Sequence, residues 1–186
     1  MYGIVNKVIS DYITARYGAE MWDNIQKDAG VDVSVFVLNE TYPDDMTEQL
    51  LNSASKRLGK SLRDLKLMLG EHWVENTGLV NAPLYMLSAA DDLKTFLLRL
   101  PELHSRVMLF YPKALAPDFD CSDVTDSSLT LHYYSKRAGL TDYVEGLLLG
   151  LGKHYGVDVH VTLLATDVCR DRADMSRHAA FRVAWR

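Results

Sequence analysis

Apolar residues recur at three- and four-residue spacing through the first two-thirds of the chain, which is typical of amphipathic helices. The spacing predicts helices over residues 2–16, 19–29 and 44–58, which are expected to end at Tyr17-Gly18, Gly30 and Gly59, since glycine suits a left-handed cap. A helix over residues 62–73 is expected to start after Ser61 as its N-cap. Residues 31–38 are rich in β-branched side chains and favour a strand by propensity alone.

A further helix is expected to begin at Asp91, with apolar positions at steps of four that include His104. Pro101 falls inside this pattern and predicts a kink or a break just before His104. Thr141 is interpreted as the cap of an apolar helix over residues 143–155. Residues 128–131, 157–163 and 179–185 alternate and predict antiparallel strands. Helices first and strands late indicate an α+β domain.

Composition adds limits to this pattern. The 186 residues suffice for one domain, taken as 1–186, with 48% hydrophobic and 24% charged residues. A net charge of −5 argues against nucleic acid as a partner. Neither a signal-peptide core nor a membrane-length apolar run is visible, so a cytoplasmic protein without membrane attachment is expected. Cys121 and Cys169 are expected to be reduced thiols.

Tyr133, Ser135 and Arg137 stand at alternate positions and would project from one face of a continuing strand. Two hydroxyls and a guanidinium on one line can bind a carboxylate or a phosphate. The alternative is a half-polar strand that ends in a solvated arginine.

The Tyr-x-Ser-x-Arg pattern resembles the signature of the heme nitric oxide/oxygen-binding (H-NOX) family, which includes the heme domain of soluble guanylate cyclase. The likeness extends along the chain in order, through the following segments: the opening run 1–7, Tyr17-Gly18, Tyr42-Pro43-Asp44-Asp45, Ala54-Ser55, Leu103-His104, and residues 131–142. The resemblance implies an N-terminal helical part, and C-terminal helices packed with an antiparallel sheet around a buried heme. It also implies that residues 31–38 form a connector between helices.

The resemblance implies heme b as the cofactor, with His104 as the axial iron ligand. A neutral imidazole in an apolar pocket suits that role, although a core histidine with a satisfied partner is the alternative. Tyr133, Ser135 and Arg137 would then hold the two propionates. Pro117 lies in an Ala-Pro-x-Phe stretch where the family packs a proline against the ring. The alternative for Pro117 is an ordinary loop proline.

Tyr143 stands in an Asp-Tyr-x-x-Gly-Leu setting similar to that of oxygen-binding family members. A buried hydroxyl there would donate to the partial negative charge of oxygen, or else it is a core tyrosine satisfied elsewhere. Val5, Ile9, Trp73 and Leu147 are expected to line the same pocket. Ile9 and Trp73 replace polar or aromatic partners found in oxygen-binding relatives, which counts against oxygen.

Two further motifs, for a phosphate loop and for a zinc site, are incomplete in this sequence. Residues 150–154 contain a glycine–lysine pair without the spacing of a phosphate loop. Some bacterial relatives carry a zinc site of one histidine and three cysteines near the C-terminus. Cys169 marks the matching place, but the chain has only two cysteines, so structural zinc is rejected.

The resemblance therefore implies a sensor of nitric oxide, with oxygen or CO as further ligands, rather than an enzyme. No cyclase or kinase segment is recognised in the sequence, so a separate histidine kinase or diguanylate cyclase is the expected protein partner. One alternative is a heme enzyme such as a peroxidase or nitric oxide dioxygenase, which needs acid–base groups above the iron. The other is a heme-free module that binds a carboxylate or phosphate through the Tyr133–Arg137 fork.

Overall fold

The computed structural model describes residues 1–78, 90–108, 117–167 and 177–186. Within them the helices are α1 (Gly3–Tyr17), α2 (Ala19–Ala29), α3 (Asp44–Leu58), α4 (Leu62–His72), a π-helix (Trp73–Gly78), α5 (Leu93–Met108) and α6 (Thr141–Tyr155). The strands are β1 (Asp118–Ser122), β2 (Ser128–Ser135), β3 (Val159–Asp167) and β4 (Arg177–Trp185). The α+β prediction is confirmed.

The N-terminal helices form where local signals predict them. Ser61 caps α4, because its hydroxyl oxygen accepts a hydrogen bond from the Asp64 backbone N–H at 3.0 Å. Gly30 and Gly59 end α2 and α3 at φ values of 64° and 62°, a left-handed conformation that costs other residues more. The helix predicted to reach residue 73 ends at His72, and the π-helix follows it.

The propensity-based strand at residues 31–38 is wrong, and the connector implied by the resemblance is what forms. Phe36 is buried at 5% exposure, whereas Val35 is 72% exposed, so the segment offers no continuous apolar face. In this region only a single bridge, between Tyr2 and Thr41, has the β pairing pattern. β-Branched residues without a partner strand do not make a sheet.

Helix α5 runs through Pro101 without a break. Proline cannot donate to the carbonyl four residues earlier, which is that of Leu97. The Cys121 thiol donates to this Leu97 carbonyl instead, at an S···O distance of 3.4 Å. Helix α5 begins at Leu93, two residues after the predicted start at Asp91, and Asp92 caps it, since its Oδ1 accepts from the Thr95 N–H at 2.7 Å.

The four strands form one antiparallel sheet in the order β1-β2-β4-β3. Strand β1 was not predicted, and it pairs Phe119 with Tyr133 and Cys121 with Leu131. Strand β3 starts two residues later and ends four residues later than expected. Thr141 was predicted to cap α6, but it is the first residue of the helix. Leu140 occupies the cap position, and its side chain makes no capping hydrogen bond.

Helices α4 and α6 pack at very short range through glycines. A Cβ atom built on Gly146 would lie 2.2 Å from the Leu67 carbonyl oxygen. One on Gly70 would lie 2.4 Å from the carbonyl oxygen of Tyr143. These contacts fix the start of α6 against the middle of α4, and only glycine permits them.

Two apolar clusters make up the described core. One joins α5, α6 and the sheet, and includes Leu97, Leu131 and Phe181. The other joins α1 to α4, and includes Ile9, Ile13 and Leu65. Trp73, at the start of the π-helix, packs against both clusters. No helix among the described residues has the length and apolar character needed to cross a membrane.

Three sequence-based interpretations fall wholly or mainly outside the described residues. They are the loop at 78–83, the connector at 111–117, and the state of Cys169.

Candidate functional site

Tyr133 and Ser135 lie on the buried face of β2, with exposures of 5% and 2%. Ser135 accepts a hydrogen bond from the Arg137 backbone N–H at 3.0 Å, which closes the chain just beyond the strand. Burial raises the pKa of Tyr133, while its bond with Ser135 and the nearby Arg137 lower it. The structure therefore brings the three predicted fork residues together at one end of β2.

The Arg137 side chain already binds a carboxylate. Its Nε donates to Asp44 Oδ2 at 3.0 Å, and the Met1 ammonium donates to the other oxygen of Asp44. Burial raises the pKa of Asp44, but the bonds from the N-terminal ammonium and Arg137 outweigh that effect and lower it. This contact joins the start of α3 to the end of β2, and spacing along the sequence gave no sign of it.

His104 lies on α5, one helical turn after Pro101. Burial lowers the pKa of its imidazole, and Asp118 acts in the opposite direction. The ring stands edge-to-face against Phe119, with centroids 5.2 Å apart at 67°. Within the described residues its nitrogens form no hydrogen bond, so a neutral imidazole with a free lone pair is available.

Tyr143 lies in the first turn of α6 and packs against the α1–α4 cluster. Burial raises the pKa of its hydroxyl above the ordinary value of 10.0, so the group stays protonated and can donate. In the part of the chain that the structure describes, this hydroxyl has no hydrogen-bond partner.

The remaining predicted pocket residues fall around the junction of the two clusters. Ile9 is 1% exposed within the α1–α4 cluster. Half-buried Trp73 packs against both clusters, and half-buried Leu147 packs against the α5–α6–sheet cluster. Val5 and Pro117 are half-buried, the first on α1 and the second directly before β1.

Comparison with known protein families shows which family the chain belongs to. The family model described as "Haem-NO-binding" matches residues 2–163. The chain belongs to the haem-NO-binding (H-NOX) family. Its resemblance to this family, noted first from sequence motifs, is thereby confirmed.

Curated relatives of this H-NOX chain include guanylate cyclases of Caenorhabditis elegans. Soluble guanylate cyclase gcy-37 is 28% identical over 187 residues, which cover 98% of this chain and 26% of the relative. Soluble guanylate cyclase gcy-35 is 27% identical over 191 residues, which cover 97% of this chain and 27% of the relative. The chain thus spans about a quarter of the length of these relatives.

Solved H-NOX structures share the fold. An Fe(II) unliganded H-NOX mutant from K. algicida superposes with a TM-score of 0.80 at 25% identity, covering 100% of this chain and 97% of the other. An oxygen-binding H-NOX domain related to soluble guanylate cyclases gives 0.81 at 21% identity, covering 100% and 95%. An Fe(II)NO H-NOX protein from S. oneidensis gives 0.82 at 21%, covering 100% and 99%.

The residues present fit heme. The cofactor needs an axial ligand, and His104 offers a neutral, partly buried imidazole without a competing hydrogen bond among the described residues. Its propionates need cationic and hydroxyl donors, which Tyr133, Ser135 and Arg137 supply side by side. Its faces need apolar walls, and the predicted pocket residues lie at the junction of two apolar clusters.

Sequence reasoning missed Asp44 and Phe119. Asp44 was interpreted only as a favourable residue at the start of α3. Phe119 stands between His104 and Tyr133, at 5.2 Å and 5.6 Å between ring centroids. Its only signal in the sequence is its place in the Ala-Pro-x-Phe stretch, two residues after Pro117.

Proposed function

We propose that this domain is a heme-based sensor of diatomic gas, responsive to nitric oxide and able to bind oxygen, with CO as a surrogate ligand. The observation that carries this proposal is the presence of two groups whose chemistry suits a heme ligand site. His104 offers an imidazole that burial keeps neutral, and Tyr143 offers a hydroxyl that burial keeps protonated.

The cofactor is proposed to be heme b, bound without covalent attachment. Covalent attachment uses a Cys-x-x-Cys-His sequence, and the two cysteines of this chain stand 48 positions apart, at Cys121 and Cys169. Ferrous heme would supply an iron centre that binds a diatomic ligand. His104 would bind the iron, and Tyr133, Ser135 and Arg137 would bind the propionates.

Tyr143 supports oxygen as a second ligand. A neutral hydroxyl held in an apolar environment donates most effectively to a ligand that carries partial negative charge. Nitric oxide is nearly neutral and gains little from such a donor. The hydroxyl therefore favours oxygen without excluding nitric oxide. Val5, Ile9, Trp73 and Leu147 would enclose the ligand with apolar surface.

Signal output is proposed to begin at His104. Loss or weakening of its bond to iron would let α5 shift relative to the sheet, and relaxation of the ring against Pro117 would accompany that shift. A ligand would in this way bias an element with two positions. The expected protein partner is a histidine kinase or a diguanylate cyclase, and a cytoplasmic location remains a prediction.

A heme enzyme is the weaker candidate. Peroxidase and dioxygenase chemistry needs acid–base groups beside the bound ligand. Among the positions proposed to face the ligand, the side chains are apolar apart from the hydroxyl of Tyr143 and the indole of Trp73. H-NOX domains are sensors rather than enzymes, although the guanylate cyclase relatives are enzymes at full length.

The test of this proposal is replacement of the axial ligand. The His104→Gly protein should lose heme on purification and regain it when free imidazole is supplied. A pyridine extract of the parent should show the spectrum of heme b. Retention of heme with an unchanged spectrum in His104→Gly, without imidazole, would overturn the assignment. His154→Gly changes an exposed histidine and is the matched control.

A further inference from the structure

We propose that strand β1 positions the helix that carries His104, with Phe119 orienting the imidazole and Cys121 holding the helix at Pro101. The proposal rests on the proposed function, because it takes His104 to be the iron ligand. It assigns a role to β1, a strand that sequence patterns do not predict, and a role to Cys121, for which the sequence suggested no function.

Phe119 contacts the His104 ring in a defined orientation. The two rings meet edge-to-face at 5.2 Å, a geometry in which the positive edge of one ring faces the negative face of the other. Axial histidines are usually oriented by a hydrogen bond from the ring nitrogen that does not bind metal. Among the described residues His104 has no such bond, so the Phe119 ring sets the plane of the imidazole.

Phe119 also contacts the fork. It pairs directly with Tyr133 across β1 and β2, and their ring centroids are 5.6 Å apart. Phe119 is only 9% exposed, within the cluster that includes Leu103 and Tyr133. One buried ring thus contacts both the proposed axial ligand and a proposed propionate ligand. A displacement of either residue would therefore shift Phe119 and, through it, the other residue.

Cys121 contacts the same helix at Leu97, about two helical turns before His104. Cys121 and Phe119 stand two residues apart on β1 and so face the same side of the sheet. The Cys121 thiol donates to the Leu97 carbonyl, the group that Pro101 leaves without its helical partner. Burial raises the pKa of this thiol to about 11, so the proton needed for the bond is retained at neutral pH.

Together the two contacts anchor α5 on either side of its proline. Without the thiol, a buried carbonyl would be left unsatisfied, and such groups are costly. The segment of α5 that follows Pro101 would then be less firmly fixed against the sheet, and the position of His104 would vary. The strand therefore acts on the iron ligand through position rather than through direct chemistry.

The experiment measures the iron–histidine stretching band of the heme-loaded ferrous protein by resonance Raman spectroscopy. Phe119→Leu should shift and broaden this band, because the imidazole can then adopt several orientations. Phe119→Tyr keeps an aromatic ring and should restore a single band near the parental position. The matched control is Phe181→Leu, which changes a fully buried phenylalanine of the same cluster that has no ring contact with His104.

Cysteine variants test the second contact by itself. Cys121→Ala removes the donor and should shift the band, and it should also raise the fraction of the nitric oxide complex in which the histidine has left the iron. Cys121→Ser keeps a donor and should return both quantities towards the parental values. Both variants change few atoms and leave every residue of α5 unaltered.

Bands for Phe119→Leu and Cys121→Ala that coincide with the parental band would overturn the proposal. Equal effects of Cys121→Ser and Cys121→Ala would overturn the hydrogen-bond role. If Phe119→Leu does not fold, the cysteine pair still decides. A parent protein without any iron–histidine band would instead contradict the proposed function itself, so the two failures can be told apart.

Discussion

Removal of the Tyr143 hydroxyl is the sharpest perturbation of ligand choice. Tyr143→Phe keeps the ring and deletes only the donor. Burial raises the pKa of this hydroxyl, so it stays protonated, and no hydrogen bond joins it to another described residue that the change would break. A hydrogen bond to a group with charge contributes about 1.5–3 kcal/mol, and each 1.4 kcal/mol corresponds to roughly a factor of ten. Oxygen dissociation should therefore become roughly ten- to hundredfold faster.

The assay is stopped-flow displacement of oxygen from the reduced, heme-loaded protein in the presence of dithionite. Nitric oxide binding should be unchanged in the same variant, because that ligand gains little from the donor. Tyr155→Phe is the matched control, since it makes the same change in a half-buried tyrosine at the other end of α6. An oxygen off-rate equal to that of the parent would show that the Tyr143 hydroxyl does not reach the ligand.

Three further perturbations test the fork, the helix packing and the acid sensitivity of the fold. Arg137→Ala should release heme roughly tenfold faster or more, because a charge-assisted bond is lost. Lys136→Ala changes an exposed neighbouring residue and should leave the rate of heme release unchanged. Hemin transfer to apomyoglobin measures both rates. Gly146→Ala should lower the free energy of unfolding by about 1–3 kcal/mol, since its Cβ would lie 2.2 Å from the Leu67 carbonyl oxygen. Unchanged urea unfolding would contradict that contact. His72→Phe should reduce the loss of stability between pH 7.5 and 5.5, measured by urea unfolding at each pH.

The acid prediction follows from the state of the His72 ring. Burial lowers the pKa of His72 below 6.5, although Asp11 and Glu75 act to raise it. Nδ1 of the ring also accepts from the amide of Asn76 at 3.0 Å, which requires the neutral form. The unfolded chain therefore takes up a proton first on acidification, and stability is lost as the pH falls through 6.5. Equal pH dependence in parent and His72→Phe would contradict this reasoning.

Local signals were enough to predict most of the helices. Gly30 and Gly59 end their helices and Ser61 starts one, because caps depend on residues next to one another in the chain. The same local reasoning placed the start of α5 two residues too early and the cap of α6 one residue too late. At α5 two neighbouring aspartates could cap the helix, and Asp92 does so, whereas α6 begins after Leu140 without a side-chain cap.

Features that depend on distant partners could not be predicted in this way. Strand β1 has five residues with only Phe119 and Cys121 as apolar positions, and it exists because β2 offers a partner at a matching register. Residues 31–38 have stronger β propensity but find no such partner. The break considered possible at Pro101 is wrong, because α5 continues through it, with a thiol 24 positions away bonded to the freed carbonyl; the kink stays a prediction.

The candidate site shows the same division. The alternation of Tyr133 and Ser135 was visible in the sequence, since strand periodicity alone sets their face, but β2 ends at Ser135, so Arg137 lies beyond the strand that was expected to continue through it. The bond from Arg137 to Asp44 spans 93 positions and comes from tertiary packing. The setting of His104 against Phe119 likewise depends on how α5 lies on the sheet. The family motifs indicated candidate residues, and the fold supplies the contacts between them.

The most direct test of the account is the visible spectrum of the reduced, heme-loaded protein before and after air is admitted. The account predicts a single five-coordinate ferrous band under nitrogen, held by His104, and a stable shift to a split six-coordinate spectrum in air that depends on Tyr143. A band that stays unchanged in air and shifts only with nitric oxide would contradict the role of Tyr143. A band that responds to neither gas would contradict gas sensing by this domain.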